Sequence, residues 1–386
     1  MSENTNFEVV GSLDLPLGDG ANIVNTGNLA FISDESLGTG GGGLFIIDVS
    51  DPQAPSLLSQ TPLGLTPDTD IATDVAIAGN LAFLTVSDGE TLMDGLAIFD
   101  VSEPINPNFL SNVAFDTSVI SDIAVDEASS RFISSNPGAE TITFGSFADP
   151  NAPIVFSTID IPGGASEVVF TPGGLGLVVG DIGDDPTTQS STISIVDPIS
   201  EMIIGSLDFT SDIDGSFDPF GIAVTSDNQF AFVSGGFQST EIAVFDISDP
   251  NNPMFETTVG TAGTQAFGIS LVDDLLFVSN PVVSGTPPNF VFDGGFVTVV
   301  DVSDPTDPNV VDTADLSPLG TVVDVSAAAL DDGTIRAVAV NADFSAVGGS
   351  SGGVSVIQPV PEPPAVLGLV VTALVGMLFT RLRQHQ

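Results

Sequence analysis

The chain of 386 residues carries 51 Asp and Glu against four Lys and Arg, a formal net charge of −47, yet 42% of it is hydrophobic. It has no Lys, Cys, Trp or Tyr, and its single His is His385. Imidazole- or thiol-based nucleophilic catalysis, lysine Schiff bases, disulfides, and nitrogen- or sulfur-ligated metals are thereby excluded, as is a nucleic-acid partner, which needs a basic face. Hard, oxygen-ligated cations such as Ca²⁺ remain compatible.

In chain order, the first predicted element is a strand at residues 7–15, FEVVGSLDL. Seven copies of one unit follow. Each opens with a two-strand hairpin: NIVNTGNLAFIS, DVAIAGNLAFLTV, DIAVDEASSRFISS, EVVFTPGGLGLVVG, GIAVTSDNQFAFVSG, GISLVDDLLFVSN and DVSAAALDDGTIRAVAV. Apolar alternation on either side of Gly-Asn, Pro-Gly-Gly or Asp-Asp-Gly marks a tight turn. A third apolar strand then runs into Asp/Glu-Pro-x-x-Pro, as in LFIIDVSDPQAP, LAIFDVSEPINP, ITFGSFADPNAP, IAVFDISDPNNP and VTVVDVSDPTDP, with shorter copies ISIVDP and VSVIQP. A fourth short strand, such as SLLSQT or NVVDTAD, completes the unit.

The residue ending the third strand is Asp48, Asp100, Ser146, Asp197, Asp246, Asp301 and Gln358 in turn, a spacing of 46 to 57 residues. Four short antiparallel strands per unit predict an all-β, seven-bladed β-propeller over residues 1–358. The last unit lacks its fourth strand, and residues 7–15 are spare. Pairing them would close the ring and remove two exposed edges. Pro ends each third strand, and the acid beside it is expected to cap backbone N–H groups in the turn. The units resemble the LVIVD repeat family, whose members are mostly bacterial surface or secreted propellers. That resemblance implies no single activity.

The residues opening the first strands fall in register: Asn22, Asp74, Asp122, Glu167, Gly221, Gly268 and Asp324. First strands line a propeller's channel, so Asp74, Asp122, Glu167 and Asp324 are expected to converge at one mouth. Converging carboxylates must share protons, keep water or hold a cation, here Ca²⁺, unless they cap backbone N–H groups. A second acidic cluster is Asp212, Asp214 and Asp218. The segments that vary most between units, residues 33–43, 181–191 and 281–294, are where a specific partner is expected to bind.

Residues 359–364 contain Pro361-Glu362-Pro363, and residues 365–386 begin with sixteen uncharged, mostly apolar positions followed by Arg381 and Arg383. A C-terminal apolar helix is predicted there. The arrangement resembles the PEP-CTERM sorting signal. That resemblance implies recognition by an exosortase-type membrane enzyme, transient membrane attachment through the helix, cleavage near Pro361, Glu362 and Pro363, and delivery to the bacterial cell surface or matrix. The opening MSENTNFEVVGSLDL departs from that pattern, having neither the basic nor the apolar part of a secretory leader. The expectation is a non-enzymatic binding, adhesion or matrix protein that contacts polysaccharide or other surface proteins. The alternative is a metal-dependent hydrolase of lactonase or phosphodiester type using the channel acids.

Overall fold

The third strand of each unit is a continuous apolar run, and a strand of that kind is stable only when both of its faces are covered. The computed structural model describes residues 6–15, 22–34, 42–63, 70–88, 95–115, 122–182, 190–213, 217–236, 239–286, 289–342 and 352–360, and it supplies that cover. Seven four-stranded antiparallel sheets stand as blades around an axis. They span 23–62, 70–114, 123–160, 167–208, 222–260, 269–315 and 321–360. Third strands such as Gly43–Asp48 and Gly95–Asp100 are buried throughout except for the half-buried closing acid. The outer strands, such as Ile154–Asp160, alternate exposed and half-buried positions.

Adjacent blades bury apolar surface between them in seven clusters, one per boundary. The cluster joining the last blade to the first packs Ile23, Ile32, Phe45 and Ile47 against Val338, Val340, Val354 and Val356. Phenylalanine fills the widest gaps, and Phe45, Phe83, Phe99, Phe132, Phe144, Phe232, Phe245 and Phe277 are wholly buried. With no hydroxyl or indole N–H, these rings need no polar partner in a dry interface.

The N-terminal strand Asn6–Leu15 pairs antiparallel with the last strand, Gly352–Val360, from Asn6 opposite Val360 to Leu15 opposite Gly352. Closure by the N-terminal strand is therefore observed, and the last strand runs two residues past Gln358. The variable segment at 281–294 is not a loop. Strands Leu275–Thr286 and Asn289–Asp301 extend through most of it, as β-branched Val282, Val283 and Val291 favour. The only helical element among the described residues is a single 3₁₀ turn, Ser317–Leu319. The expected C-terminal helix at 365–386 lies outside the described residues, and no described helix is long and apolar enough to cross a membrane.

The Asp-Pro turns are capped as expected. Asp51, Asp149, Asp249 and Asp304 each accept the N–H two residues ahead at 3.0–3.1 Å. The strand-ending acids do the same one step earlier, Asp48 for Ser50, Asp100 for Ser102, Asp246 for Ser248 and Asp301 for Ser303, at 2.8–2.9 Å. The serine hydroxyls and N–H groups hold Asp48, Asp100 and Asp301 below the usual carboxylate range.

Every outer strand carries a one-residue β-bulge against the third strand, a feature unread from the sequence. At four boundaries the next blade's Asp-Pro turn docks just after it. Ser59 donates its hydroxyl to Pro104 O at 2.7 Å, and Ser111 to Pro150 O at 2.6 Å. In blade 3 the bond comes from Arg131, whose Nη1 donates to Pro198 O at 2.7 Å. Gly11 and Gly205 hold the equivalent place where Pro52 O and Pro250 O approach so closely that a Cβ would collide with backbone. We therefore expect Gly205→Ser to cost about 1–3 kcal/mol through forced separation of blades 4 and 5. Ser59→Ala, which loses one hydrogen bond, should cost about 1 kcal/mol. Denaturant unfolding of the two variants checks that order.

Candidate functional site: an acid ring at the channel mouth

Each blade's innermost strand has no neighbour on its channel side, so its outward N–H groups need acceptors from elsewhere. The seven register residues do meet at one mouth, where they line a cavity of about 370 Å³. Aliphatic side chains follow further in, including Val75, Ile123, Val168 and Ile269.

The carboxylates supply the missing acceptors across blade boundaries. Asp74 Oδ2 accepts from Ile123 N at 2.9 Å, Asp122 Oδ2 from Val168 N at 2.6 Å, and Asp324 Oδ2 from Ile23 N at 3.0 Å. In each case the donor belongs to the next blade and directly follows its own ring residue. Asn22 does the converse, donating its Nδ2 to Thr73 O. One tier deeper, Ser326 Oγ accepts from Asn25 N at 2.9 Å and Ser270 Oγ from Ala327 N at 3.0 Å. From the second strands, Ser135 Oγ donates to Ser166 O at 2.9 Å and Ser279 Oγ to Val323 O at 3.2 Å.

The ring is uneven. Asp122 hydrogen-bonds both Asp74 and Glu167 through their carboxyls. Blades 5 and 6 contribute only Gly221 and Gly268. Asp324 Oδ1 fills the place that a Cβ on Gly268 would take. Beside this gap Phe220 and Phe267 stack with centroids 4.7 Å apart, and Phe220 reaches the cavity wall. Asp122 is buried, whereas Asp74, Glu167 and Asp324 keep part of their surface open to the channel. Burial, then the charge of Asp122, holds Asp74 well above the usual carboxylate range. Burial, then the charges of Asp122 and Asp74, does the same for Glu167. Burial pushes Asp324 up to about 7, against the lowering pull of the Ile23 and Val325 N–H groups.

Calcium needs six to eight oxygen ligands gathered at one point. Asp74, Asp122 and Asp324 turn one oxygen each to an N–H of the next blade. Among the described residues no group of three or more His, Cys, Asp and Glu is placed to hold a metal ion. Of the second acidic cluster, Asp214 lies outside the described residues. Asp218 pairs with Asp181 of the preceding blade, and burial followed by the Asp181 charge pushes it up to about 7. Nothing local in the sequence signals that pairing, because the partner is 37 residues away. Pro361, Glu362, Pro363, Arg381 and Arg383 all lie outside the described residues.

The LVIVD repeat model matches residues 17–61, 71–114, 224–261 and 290–315, which fall on blades 1, 2, 5 and 6. The chain carries LVIVD repeats. The LVIVD signature fades in blades 3, 4 and 7, where Ser146 and Gln358 replace the strand-ending acid or the Pro-x-x-Pro is incomplete. A solved protein from Lactobacillus plantarum is similar at 17% identity, with a TM-score of 0.55 over 83% of this chain and 88% of that one, a likeness of fold alone. No curated protein matches the chain.

The raised acids set the pH response of the propeller. Asp74, Glu167 and Asp324 bind protons more tightly folded than unfolded. Their stabilisation is therefore complete below about pH 4 and declines as pH rises through their raised folded-state values, about 7 for Asp324. The lowered turn acids act in the opposite sense and only as pH falls below about 4. We expect the melting temperature, measured in 0.5 M NaCl to screen the net charge, to fall by ~5 °C or more between pH 5 and pH 8. Asp324→Asn should flatten that slope, whatever its effect on the absolute value. An unchanged slope would show that the ring does not titrate in this window.

Proposed function

We propose that this LVIVD propeller is a non-enzymatic binding protein of the bacterial cell surface or extracellular matrix, sorted through its C-terminal segment. One observation carries the non-enzymatic part. The acids that a hydrolase on this scaffold would use are committed to blade-to-blade backbone bonds and to one another. A general base must be free to take a proton from water or substrate, and a metal activator needs unshared carboxylate oxygens. No His, Lys, Cys or Tyr stands in the propeller to take over those roles. The binding surfaces are then the faces and rim, in keeping with loops and edges carried on a rigid scaffold.

The surface address rests on sequence: Pro361-Glu362-Pro363, an apolar stretch, then Arg381 and Arg383. Basic residues beyond an apolar stretch hold that end in the cytoplasm, which leaves the propeller on the far side of the membrane. The partners in this reading are an exosortase-type enzyme during sorting, and polysaccharide or other surface proteins afterwards.

Two measurements test the proposal. Mass spectrometry of the mature protein from its native cells should find a C-terminus near Pro361, and an intact Gln386 would count against sorting. A screen of lactones and phosphodiesters with and without EDTA should give no turnover. Metal-dependent hydrolysis abolished by Asp122→Ala would replace the binding reading with an enzymatic one.

A further inference from the structure

Twelve large apolar side chains are exposed among the described residues, and ten of them lie in Asp-Pro turns or the first half of outer strands. All ten therefore sit on one rim of the disc, opposite the channel mouth with the acids. Exposed apolar residues scattered singly need no explanation, but a contiguous group does.

They are densest where blade 3 meets blade 4. Ile154 is 58% exposed, Phe156 42%, Ile199 74% and Met202 60%. Ile154 and Met202 hold the same place on adjacent outer strands, opposite the strand-ending Ser146 and Asp197. Arg131 joins the two halves: its guanidinium carbon lies 4.9 Å from the Phe156 ring centroid, and Nη1 bonds Pro198 O beside Ile199. Acids flank the patch, with Asp149 exposed in the turn before Ile154 and Glu201 next to Met202.

Two features decide what such a surface accepts. The bulge at Phe156 interrupts the edge of its strand, which disfavours an added β-strand. The net charge of −47 repels anionic partners and second copies of the chain while drawing in cations. We propose that the blade 3–blade 4 rim is a docking surface for a cationic amphipathic helix of a partner protein. Its apolar face would cover Ile154, Phe156, Ile199 and Met202, and its basic flanks would meet Asp149 and Glu201. This proposal rests on the binding reading above. The two fail separately, because hydrolytic turnover would overturn that reading without altering peptide affinity.

Calorimetric titration of the full chain with model peptides of ~18 residues, about five helical turns, tests it. A Leu/Lys amphipathic peptide should bind at 0.15 M salt. Its sequence-scrambled form, with equal charge and no apolar face, and a Leu/Glu counterpart should bind at least ~10-fold more weakly. The exposed triple substitution Ile154→Ser, Ile199→Ser and Met202→Ser, with an unchanged melting temperature, should weaken the Leu/Lys peptide by at least ~10-fold. Ile105→Ser with Phe109→Ser, on the rim of blade 2, should leave it unaltered. No binding by the Leu/Lys peptide, equal binding by the Leu/Glu peptide, or equal loss in both variants would overturn the proposal.

Discussion

The backbone N–H on the channel side of each innermost strand is the group on which this propeller depends. In a sheet it would be paired by another strand, but here the next strand belongs to a different blade standing at an angle. Left alone in a partly buried mouth, such a donor costs about 1–3 kcal/mol. Asp74, Asp122 and Asp324 each reach one blade onward to accept it. The same acceptor that satisfies a donor also joins neighbouring blades, so the ring is tied at its narrowest circumference. At the opposite end the Asp-Pro turns tie it again, through Ser59, Ser111 and Arg131.

Bringing carboxyls together at the axis has an electrostatic consequence. Three or more charges of one sign cannot all persist in a partly desolvated mouth, and neutralising the acids by protonation is less costly than separating the blades. Burial first, and neighbouring carboxyl charges second, push Asp74 and Glu167 upward, and burial pushes Asp324 to about 7. Turn acids such as Asp48, Asp100 and Asp301 meet the opposite environment, where hydroxyl and N–H donors hold them below the usual carboxylate range. The net charge of −47 is thus two populations: a partly neutral set at the axis, and an ionised set over the turns and faces that governs which partners approach.

Much of this was legible in the sequence because it repeats. The hairpin-plus-Asp-Pro period counts the blades, and the spare N-terminal strand indicates how the ring closes. The register of Asn22, Asp74, Asp122, Glu167 and Asp324 also follows from the period, since equivalent positions in a closed ring must meet at one height. What the acids do there does not follow, because a carboxyl reaching the next blade and one facing the axis occupy the same register. The outer-strand bulges were hidden for a similar reason. Each is defined by two strands jointly, and the clue in five of the seven, Ser or Gly just after it, is an ordinary residue in an ordinary place. The Asp181–Asp218 pair depends on how blades 4 and 5 abut, which no local pattern records.

The central claim is that ring carboxylates hold the blades together through backbone donors, and Val168 isolates it, since its N–H bonds Asp122 of the preceding blade. Amide hydrogen exchange at Val168 in the native chain and in Asp122→Ala, at a pH near 6 where both stay folded, measures that bond directly. Exchange at Val168 should accelerate by at least ~10-fold in the variant. Third-strand amides such as those of Ile193 and Ile195 should keep their protection. Unaltered exchange at Val168 would contradict the account, because the carboxylate would then not be what satisfies that donor.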